Sequence, residues 1–218
     1  MCDSEQRYYE KYWEIPENAI PMKDPTTSKR LELFLDTLKK EGPVKRILDA
    51  GCGSGFFTNA IYQAGYYGVG IDISRNAIAE AKNRYPGIEF FCNPLDSQWP
   101  FEDKTFDVIF STEVIEHVLG TYKMISEMNR VLNVGGVLIL TTPYHGLLKN
   151  LMTVLFCFDR HFNNIEGGHI RFFTIKFLNK LLNQFGFEVI DIKYIGRIKP
   201  IAKSIYLVAR KNKDVREN

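Results

Sequence analysis

Three glycines at alternate positions, Gly51, Gly53 and Gly55, mark the stretch of this 218-residue chain that is best suited to bind a ligand. Glycine lacks a Cβ and adopts positive φ readily, so a ligand can come close to the backbone amides of such a loop. The apolar run from Val44 to Ala50 precedes the loop and an apolar-periodic segment follows it, which predicts a strand, a tight turn and a helix. Since the first N–H groups of a helix have no partner within it, we expect a polar ligand here.

The glycine spacing differs from the fingerprint of nicotinamide dinucleotide enzymes. That fingerprint, G-x-G-x-x-G, needs a glycine at position 56, where this chain has Phe56. The usual pyrophosphate site is therefore not matched. An NAD-dependent oxidoreductase is a less favoured alternative, which measured binding of NAD would support.

A carboxylate is expected beside the glycine loop. Asp72 ends a second apolar run, residues 66–71. In a βαβ unit an acidic residue at this place lies next to the first loop and accepts hydrogen bonds from both ribose hydroxyls of an adenosine. An ordinary glycine-rich turn, with Asp72 at the start of a helix, is the alternative reading.

The segment from Asp49 to Gly55 resembles the first motif of the class I S-adenosylmethionine-dependent methyltransferases, acidic-x-G-x-G-x-G. In that family the loop passes the methionine part of the cofactor, and the acid after the second strand holds the ribose. The resemblance implies that S-adenosylmethionine is the cofactor. It implies a first block of cofactor-binding residues: Asp49, Gly51, Cys52, Gly53, Gly55, Asp72 and Ile73.

A second block of likeness runs from Pro100 to Val118. Pro100-Phe101 and Phe106-Asp107 resemble the family's approach to its fourth strand, and residues 113–118, Glu-Val-Ile-Glu-His-Val, resemble its continuation. The resemblance places Ser111, Thr112 and Glu113 at the methionine end of the cofactor.

Adenine recognition is expected after the third predicted strand, Ile88 to Cys92. Asp96, with its neighbour Leu95, follows that strand, and a carboxylate there accepts a hydrogen bond from the adenine amino group. The family gives an acid this role. A turn-forming aspartate beside Pro94 is an equally weighted alternative.

Methyl transfer from a sulfonium is an in-line displacement that needs a positioned nucleophile and often a general base. His145 follows the fifth predicted strand and is the first candidate for that base. His169 resembles a histidine that precedes the last helix in many relatives and is the second candidate. A solvated loop position for His145 and a loop-anchoring hydrogen bond for His169 are the alternatives. For His117 a structural role is favoured, and His161 has no assigned role.

The order of apolar segments predicts an α/β fold with a doubly wound, mostly parallel sheet. The family pattern ends with a strand hairpin, so the resemblance implies seven strands with an antiparallel last strand. The helix after Ser111 is predicted to stop at Gly135-Gly136, and Thr174 is predicted to cap the last helix. The predicted division is an N-terminal helical cap over residues 1–42 and a methyltransferase domain over residues 43–218, with a lid insert at about 144–173.

Two apolar segments lie outside the family pattern. Four aromatic residues between Tyr8 and Trp13 are expected to fold back onto the cofactor cleft or onto the outer helices, and Tyr12 and Trp13 are lid candidates.

The second segment, Leu147 to Phe158, is too apolar for an exposed loop and too short to span a bilayer. It predicts a lid, an interface or a membrane-touching helix. Our hypothesis is that it walls an apolar acceptor pocket, with ordinary packing as the alternative.

Composition limits the partners. The chain has 28 Lys and Arg against 26 Asp and Glu, which gives no case for a polyanionic partner. Residues 197–218 hold seven basic and two acidic residues, and a solvated basic strand is favoured over a nucleic-acid patch.

The four cysteines show no disulfide or zinc spacing. No leader pattern or membrane span is recognised. We therefore expect a cytoplasmic protein without a metal, with peripheral membrane contact left open.

The leading functional prediction is a methyltransferase that acts on a small-molecule acceptor, most readily at oxygen, similar to the ubiquinone-pathway O-methyltransferases. A non-catalytic S-adenosylmethionine-binding or interaction protein is the alternative. Nucleic-acid methylation is less favoured, because the Asp/Asn-Pro-Pro-aromatic motif and the Pro-Cys nucleophile are both absent. Acceptor identity and oligomeric state are not predicted.

Overall fold

A computed structural model describes residues 2–15, 25–156 and 171–215. The N-terminal part contains helices α1 (Cys2–Glu14) and α2 (Thr27–Lys40). Strands and helices then alternate through β1 (Arg46–Ala50), α3 (Phe56–Gln63), β2 (Tyr67–Asp72), α4 (Arg75–Arg84), β3 (Glu89–Cys92), β4 (Phe106–Thr112), α5 (Thr121–Val131) and β5 (Leu132–Pro143). The remaining elements are α6 (Leu147–Phe156), α7 (Ile175–Gln184), β6 (Phe187–Ile195), a 3₁₀ turn (Lys199–Ile201) and β7 (Ser204–Lys211).

The strands described here form one sheet in the order β3-β2-β1-β4-β5-β7-β6. The pairs β1–β2, β1–β4, β2–β3 and β4–β5 are parallel. Strand β7 runs antiparallel to both of its neighbours, β5 and β6. This confirms the predicted doubly wound sheet with an antiparallel last strand, and it places the carboxyl ends of β1, β2 and β4 at one edge.

Both faces of the sheet are buried by helices. On one face α2 and α3 pack against the central strands, and the rings of Phe34 and Phe110 lie 4.2 Å apart. On the other face α5 and α7 supply the apolar side chains, among them Met128 and Leu182. Burial on both faces explains why the central strands are continuous apolar runs.

The prediction that the helix before β5 stops at Gly135-Gly136 is wrong. Helix α5 ends at Val131, and Leu132 already has an extended backbone with ψ 140°. Leu132 pairs with Phe106 of β4, so the chain enters the sheet four residues before Gly136. Pairing between distant strands overrides the local stop signal.

The last helix begins and ends where its signals predict. Thr174 Oγ1 accepts a hydrogen bond from Phe177 N at 3.2 Å, which satisfies one of the free N–H groups of α7. Gly186, after the helix, has φ +75°, which suits glycine. This confirms Thr174 as the cap of the last helix.

A carboxylate of helix α1 is hydrogen bonded to the sheet domain. Glu10 accepts hydrogen bonds from Arg75 N at 2.9 Å and Asn76 N at 3.0 Å, at the start of α4. Ser74 Oγ donates to the same carboxylate at 3.2 Å. A carboxylate at a helix N-terminus is stabilised by the unpaired N–H groups there, so α1 is held next to the carboxyl edge of the sheet.

Helix α6 lies on the surface, and none of its ten residues is buried. It forms the described part of the predicted lid insert, of which residues 157–170 lie outside the described ranges. The lid role and the domain boundary at residue 42 stay predictions. Within the ranges that the structure describes, no helix has the length and apolar character needed to cross a membrane.

Candidate functional site

A cavity of about 490 Å³ opens at the carboxyl edge of the sheet. Its walls come from the loop after β1, the ends of β2 and β4, the segment after β3, and helices α1 and α2. Ligands of doubly wound sheets bind at this edge. Of the predicted cofactor-binding residues, nine line the cavity: Gly51, Cys52, Gly53, Asp72, Ile73, Leu95, Asp96, Thr112 and Glu113.

The glycine loop is closely packed and leaves no room for a side chain at Gly51 or Gly53. Gly51 and Gly53 have φ values of +87° and +50°, in the left-handed region that favours glycine. A Cβ on Gly51 would lie 2.4 Å from Val114 Cγ2, and one on Gly53 would lie 2.5 Å from Trp13 Cζ2. The loop therefore presents bare backbone to the cavity, as a close ligand requires.

Asp72 joins this loop to the end of β2. Its Oδ2 accepts from Gly53 N and its Oδ1 from Ser74 N, both at 2.9 Å. Burial raises the pKa of the Asp72 carboxyl above its ordinary value, and hydrogen bonds from the backbone offset part of that rise. Each carboxylate oxygen still has acceptor capacity for a further hydrogen bond, so Asp72 can accept from a ligand hydroxyl without losing its hold on the loop.

Three predicted cofactor-binding residues lie behind the loop instead of at the cavity wall. Asp49 is 1% exposed and accepts from Thr58 Oγ1 at 2.7 Å. Burial raises the pKa of Asp49 to about 7. Ser111 Oγ donates to Ala50 O at 2.7 Å, and Gly55 precedes α3 with φ +81°. These contacts support the loop, and direct contact of Asp49, Gly55 and Ser111 with a cofactor stays a prediction.

Asp96 lines the cavity and is also hydrogen bonded to the start of α5. Its Oδ2 accepts from Gly120 N at 3.2 Å, so the carboxylate also fixes the start of α5. A Cβ on Gly120 would lie 2.5 Å from Asp96 Cβ, which shows how closely the two segments approach. The side chain is thereby positioned at the cavity wall, where its predicted adenine contact stays a prediction.

Glu113 directly follows β4 and has an unusual backbone conformation. It has φ +52°, which is uncommon for a residue with a side chain and tends to occur at functional sites. Its carboxylate accepts from Thr141 Oγ1 at 2.9 Å and from Ser204 Oγ at 3.2 Å. Arg30 Nη2 lies 3.3 Å from Glu113 Oε1, which completes a charged pair in the cavity wall.

Sequence reasoning did not identify Arg30 as a site residue. This arginine is 4% exposed, lines the cavity and donates to Ser204 Oγ at 3.3 Å. The available signal was its place on the apolar stripe of α2, one turn before Leu33 and Phe34. A cation at such a position needs a buried partner, but the sequence does not reveal that Glu113 supplies it.

Four aromatic residues of α1 close the remaining side of the cavity: Tyr8, Tyr9, Tyr12 and Trp13. The Tyr12 and Trp13 rings meet edge to face at 5.5 Å, and the Tyr9 ring lies 6.4 Å from the ring of His117. Of the two positions expected for these aromatics, on the cleft or on the outer helices, the structure shows them at the cavity wall. The lid role of Tyr12 and Trp13 stays a prediction.

The histidines are distributed differently from the prediction. His145 is absent from the cavity lining; its Nδ1 lies 3.3 Å from Asn150 Oδ1, and its ring lies 4.6 Å from that of Phe172. His161 and His169 lie outside the described residues. Among the histidines that the structure describes, His117 lines the cavity. The general-base roles of His145 and His169 stay predictions.

Behind His117 lies a buried carboxyl group. Glu116 is fully buried and accepts from Thr142 Oγ1 at 3.0 Å through Oε2, while Oε1 has no hydrogen-bond partner within the described chain. The distance from Glu116 Oε1 to His117 Nε2 is 4.0 Å. Burial, and then the nearby Glu113 carboxylate, raise the pKa of Glu116 to about 8. The side chain is therefore mainly protonated at neutral pH.

A known family matches most of the chain. The sequence profile of a family described as "Methyltransferase domain" matches residues 24–192. A protein named as a probable S-adenosylmethionine-dependent methyltransferase, from Mycolicibacterium smegmatis, is 29% identical over 190 residues, which cover 81% of this chain and 70% of that protein. The ubiquinone biosynthesis O-methyltransferase of Bradyrhizobium sp. (strain ORS 278) is 32% identical over 101 residues, 44% of this chain and 39% of that enzyme. The chain therefore spans well under half the length of the second relative.

Solved structures share the fold. Magnesium protoporphyrin IX methyltransferase from Synechocystis PCC 6803, determined with bound SAH, superposes with a TM-score of 0.70. The match covers 95% of this chain and 99% of that one at 18% sequence identity. An identity this low shows a common fold and leaves the acceptor undetermined.

Proposed function

Because this chain belongs to the S-adenosylmethionine-dependent methyltransferase family, we propose that it transfers a methyl group to an oxygen atom of a small-molecule acceptor. It is an enzyme of that family, and S-adenosylmethionine is its cofactor. The observation that carries the proposal is the cavity wall, in which the bare glycine loop and the Asp72 carboxylate face one space of about 490 Å³. The O-methyltransferase among the similar proteins supports oxygen as the acceptor atom.

The residues present fit the cofactor. Asp72 has acceptor capacity for the ribose hydroxyls, and Asp96 for the adenine amino group. Gly51 and Gly53 cannot carry side chains, which leaves their backbone for the methionine end. When bound, S-adenosylmethionine supplies an electrophilic methyl group on a sulfonium. Arg30 and Glu113 then offer one charge of each sign to an amino acid moiety.

His117 is our candidate for the group that removes the acceptor proton. It lines the cavity, whereas His145 does not. An imidazole is the most frequent general base near neutral pH. Because Glu116 is mainly protonated there, it holds a proton beside His117 and adds no second negative charge to that of Glu113.

The acceptor is expected to be apolar apart from its reacting hydroxyl or carboxylate. The rings of α1, together with Phe56 and Phe57, supply much of the cavity wall. Aromatic side chains favour ligands with flat or apolar surfaces. This agrees with an apolar acceptor pocket, although here the aromatic residues of α1 form the wall and α6 does not.

The direct test is incubation of the protein with methyl-labelled S-adenosylmethionine and a panel of phenols, hydroxylated quinone precursors and carboxylic acids. We expect label in an extractable product whose new methyl group is bonded to oxygen by NMR. Cofactor binding in calorimetry without label transfer to any acceptor would instead support a non-catalytic S-adenosylmethionine-binding protein.

A further inference from the structure

Helix α6 exposes an apolar surface that the described chain does not cover. Leu147 is 88% exposed, Leu155 62% and Phe156 75%. The other large apolar residues of the helix, Leu148, Leu151, Met152 and Val154, are all at least 45% exposed. The helix contains one lysine and no acidic residue. So large an exposed apolar patch marks an interaction site.

A basic turn lies beside this helix. The segment between β6 and β7, residues 196–203, contacts α6 and contains three basic residues and no acidic one. Lys149 of α6 joins the two, because its Nζ donates to Tyr144 O at 2.7 Å and to Lys203 O at 3.1 Å. Arg197 and Lys203 are close enough to contribute to a lowered pKa of Lys149, whose main cause is burial.

The turn itself combines charge with an exposed apolar side chain. Ile198 is 72% exposed and stands between Arg197 and Lys199, which are both exposed. Lys199 Nζ lies 5.4 Å from the centre of the Tyr194 ring, at the base of the turn. Apolar tips flanked by cations are suited to the boundary between lipid headgroups and acyl chains.

We propose that α6 and residues 196–203, together called the α6 surface, dock on an anionic lipid bilayer. The apolar residues of α6 and Ile198 enter the outer part of the bilayer, and Arg197, Lys199 and Lys203 face the lipid phosphates. Apolar insertion and a basic patch are the two signals that stable peripheral binding requires. Each Lys or Arg near an anionic surface strengthens binding about fivefold. This inference does not depend on which acceptor the enzyme uses.

The charge distribution favours lipid over a second copy of the chain. In a symmetric dimer through α6 the same patch of each copy would meet, so the basic turns of both copies would be brought together without acidic residues from either turn. Residues 196–203 have a net charge of +3, and the chain as a whole +2. The net positive charge of the chain is therefore matched by the basic turn of the proposed surface alone.

Co-sedimentation of the full chain with lipid vesicles tests the proposal. We expect binding to vesicles of phosphatidylcholine mixed with phosphatidylglycerol, weak binding to phosphatidylcholine alone, and loss of binding as salt is raised. Leu155→Glu combined with Phe156→Glu should weaken binding about tenfold or more, since it replaces inserted apolar groups with charge. Arg197→Glu combined with Lys199→Glu should have a similar effect through the headgroups.

Two matched variants away from the α6 surface serve as controls. Val134→Glu changes a residue that is 52% exposed at the start of β5, and Lys39→Glu combined with Lys40→Glu changes two cations at the end of α2. Both should bind vesicles as the unchanged chain does, and circular dichroism checks that all variants are folded. Absence of binding to the anionic vesicles, or equal loss in the controls, would overturn the proposal. The proposal would also be overturned if the α6 variants changed the molecular mass measured by light scattering but not vesicle binding. That outcome would identify a second copy of the chain as the partner of the α6 surface.

Discussion

At the scale of single residues, two buried carboxyl groups have opposite roles, Asp72 at the cavity wall and Glu116 behind it. Asp72 is held by two backbone donors and has acceptor capacity left for a ligand, whereas Glu116 is held mainly in its protonated form by burial. The surroundings of each group therefore give them different roles: Asp72 is a carboxylate that can bind a ligand, and Glu116 is a carboxylic acid beside His117.

The Asp72→Asn substitution should weaken S-adenosylmethionine binding about 10- to 100-fold. The amide keeps an acceptor for Gly53 N or Ser74 N but removes the charge-assisted bonds to the ribose, which are each stronger than neutral ones. Isothermal titration calorimetry measures the change, and the thermal midpoint shows whether the loop is intact. Asp36→Asn, at an exposed site on α2, is the matched control. Unchanged affinity in Asp72→Asn would count against the ribose contact.

Glu116 should make stability fall as pH rises. Its pKa is about 8 in the folded protein against 4.5 as the ordinary value, so between these two pH values the folded state holds more protons than the unfolded state. The free energy of unfolding therefore decreases by about 1 kcal/mol per pH unit across this window from this group.

Urea unfolding at several pH values between 5 and 9 tests this effect. Glu116→Gln resembles the protonated acid, so it should become progressively more stable than the unchanged protein as pH increases. Glu32→Gln, which alters an exposed glutamate on α2, should show no such trend. Parallel pH profiles for Glu116→Gln and the unchanged protein would show that Glu116 titrates normally.

At the scale of elements, the cavity depends on the attachment of α1 through Glu10. Burial tends to raise the pKa of Glu10, but hydrogen bonds from Asn76 N and Arg75 N lower it overall. The group therefore stabilises docking above the ordinary pKa of glutamate, and that contribution is lost as pH falls through the lowered value.

Glu10→Ala should release α1 and expose its basic residues to trypsin. Loss of a capping carboxylate costs about 1 to 2 kcal/mol, so cleavage at Arg7 and Lys11 should become roughly 5 to 30 times faster if opening precedes cleavage. Mass spectrometry of timed digests measures both sites. Glu14→Ala, one turn further along the same helix and exposed, is the control; equal rates in the two variants would mean that Glu10 does not anchor the helix.

The order of strands and helices was predictable, because glycine turns and continuous apolar runs are local signals. Strand β5, in contrast, begins at Leu132, before the helix stop predicted at Gly135-Gly136, and it extends to Pro143. Its extra length depends on pairing with β4 at one end and with β7 at the other. Such pairings join residues far apart in sequence, and no local pattern encodes them.

The site residues also fall into two groups, those that local sequence predicts and those that depend on contacts between distant segments. The glycine loop and Asp72 belong to one βαβ unit and could be located from their spacing. Arg30 acquires its role from Glu113, and Glu10 from the start of α4. His145 was selected for its position after β5, but the chain turns into α6 there and the side chain meets Phe172. Local sequence does not contain these tertiary contacts.

At the scale of the whole molecule, the carboxyl edge of the sheet is where the family binds its cofactor. The helices added around the sheet set the function of this chain. Helix α1 adds the aromatic wall of the cavity, and the α6 surface adds the proposed lipid contact. The two additions are separate, because no residue of α6 lines the cavity. Variants of one should therefore leave the property assigned to the other unchanged.

The most direct measurement is a crystal structure of the protein with bound S-adenosylhomocysteine. We predict that the nucleoside lies in the cavity at the carboxyl edge of the sheet, with its ribose hydroxyls within hydrogen-bond distance of the Asp72 carboxylate and its amino acid end along Gly51 to Gly53. An empty cavity, or a nucleoside bound elsewhere on the molecule, would contradict the account.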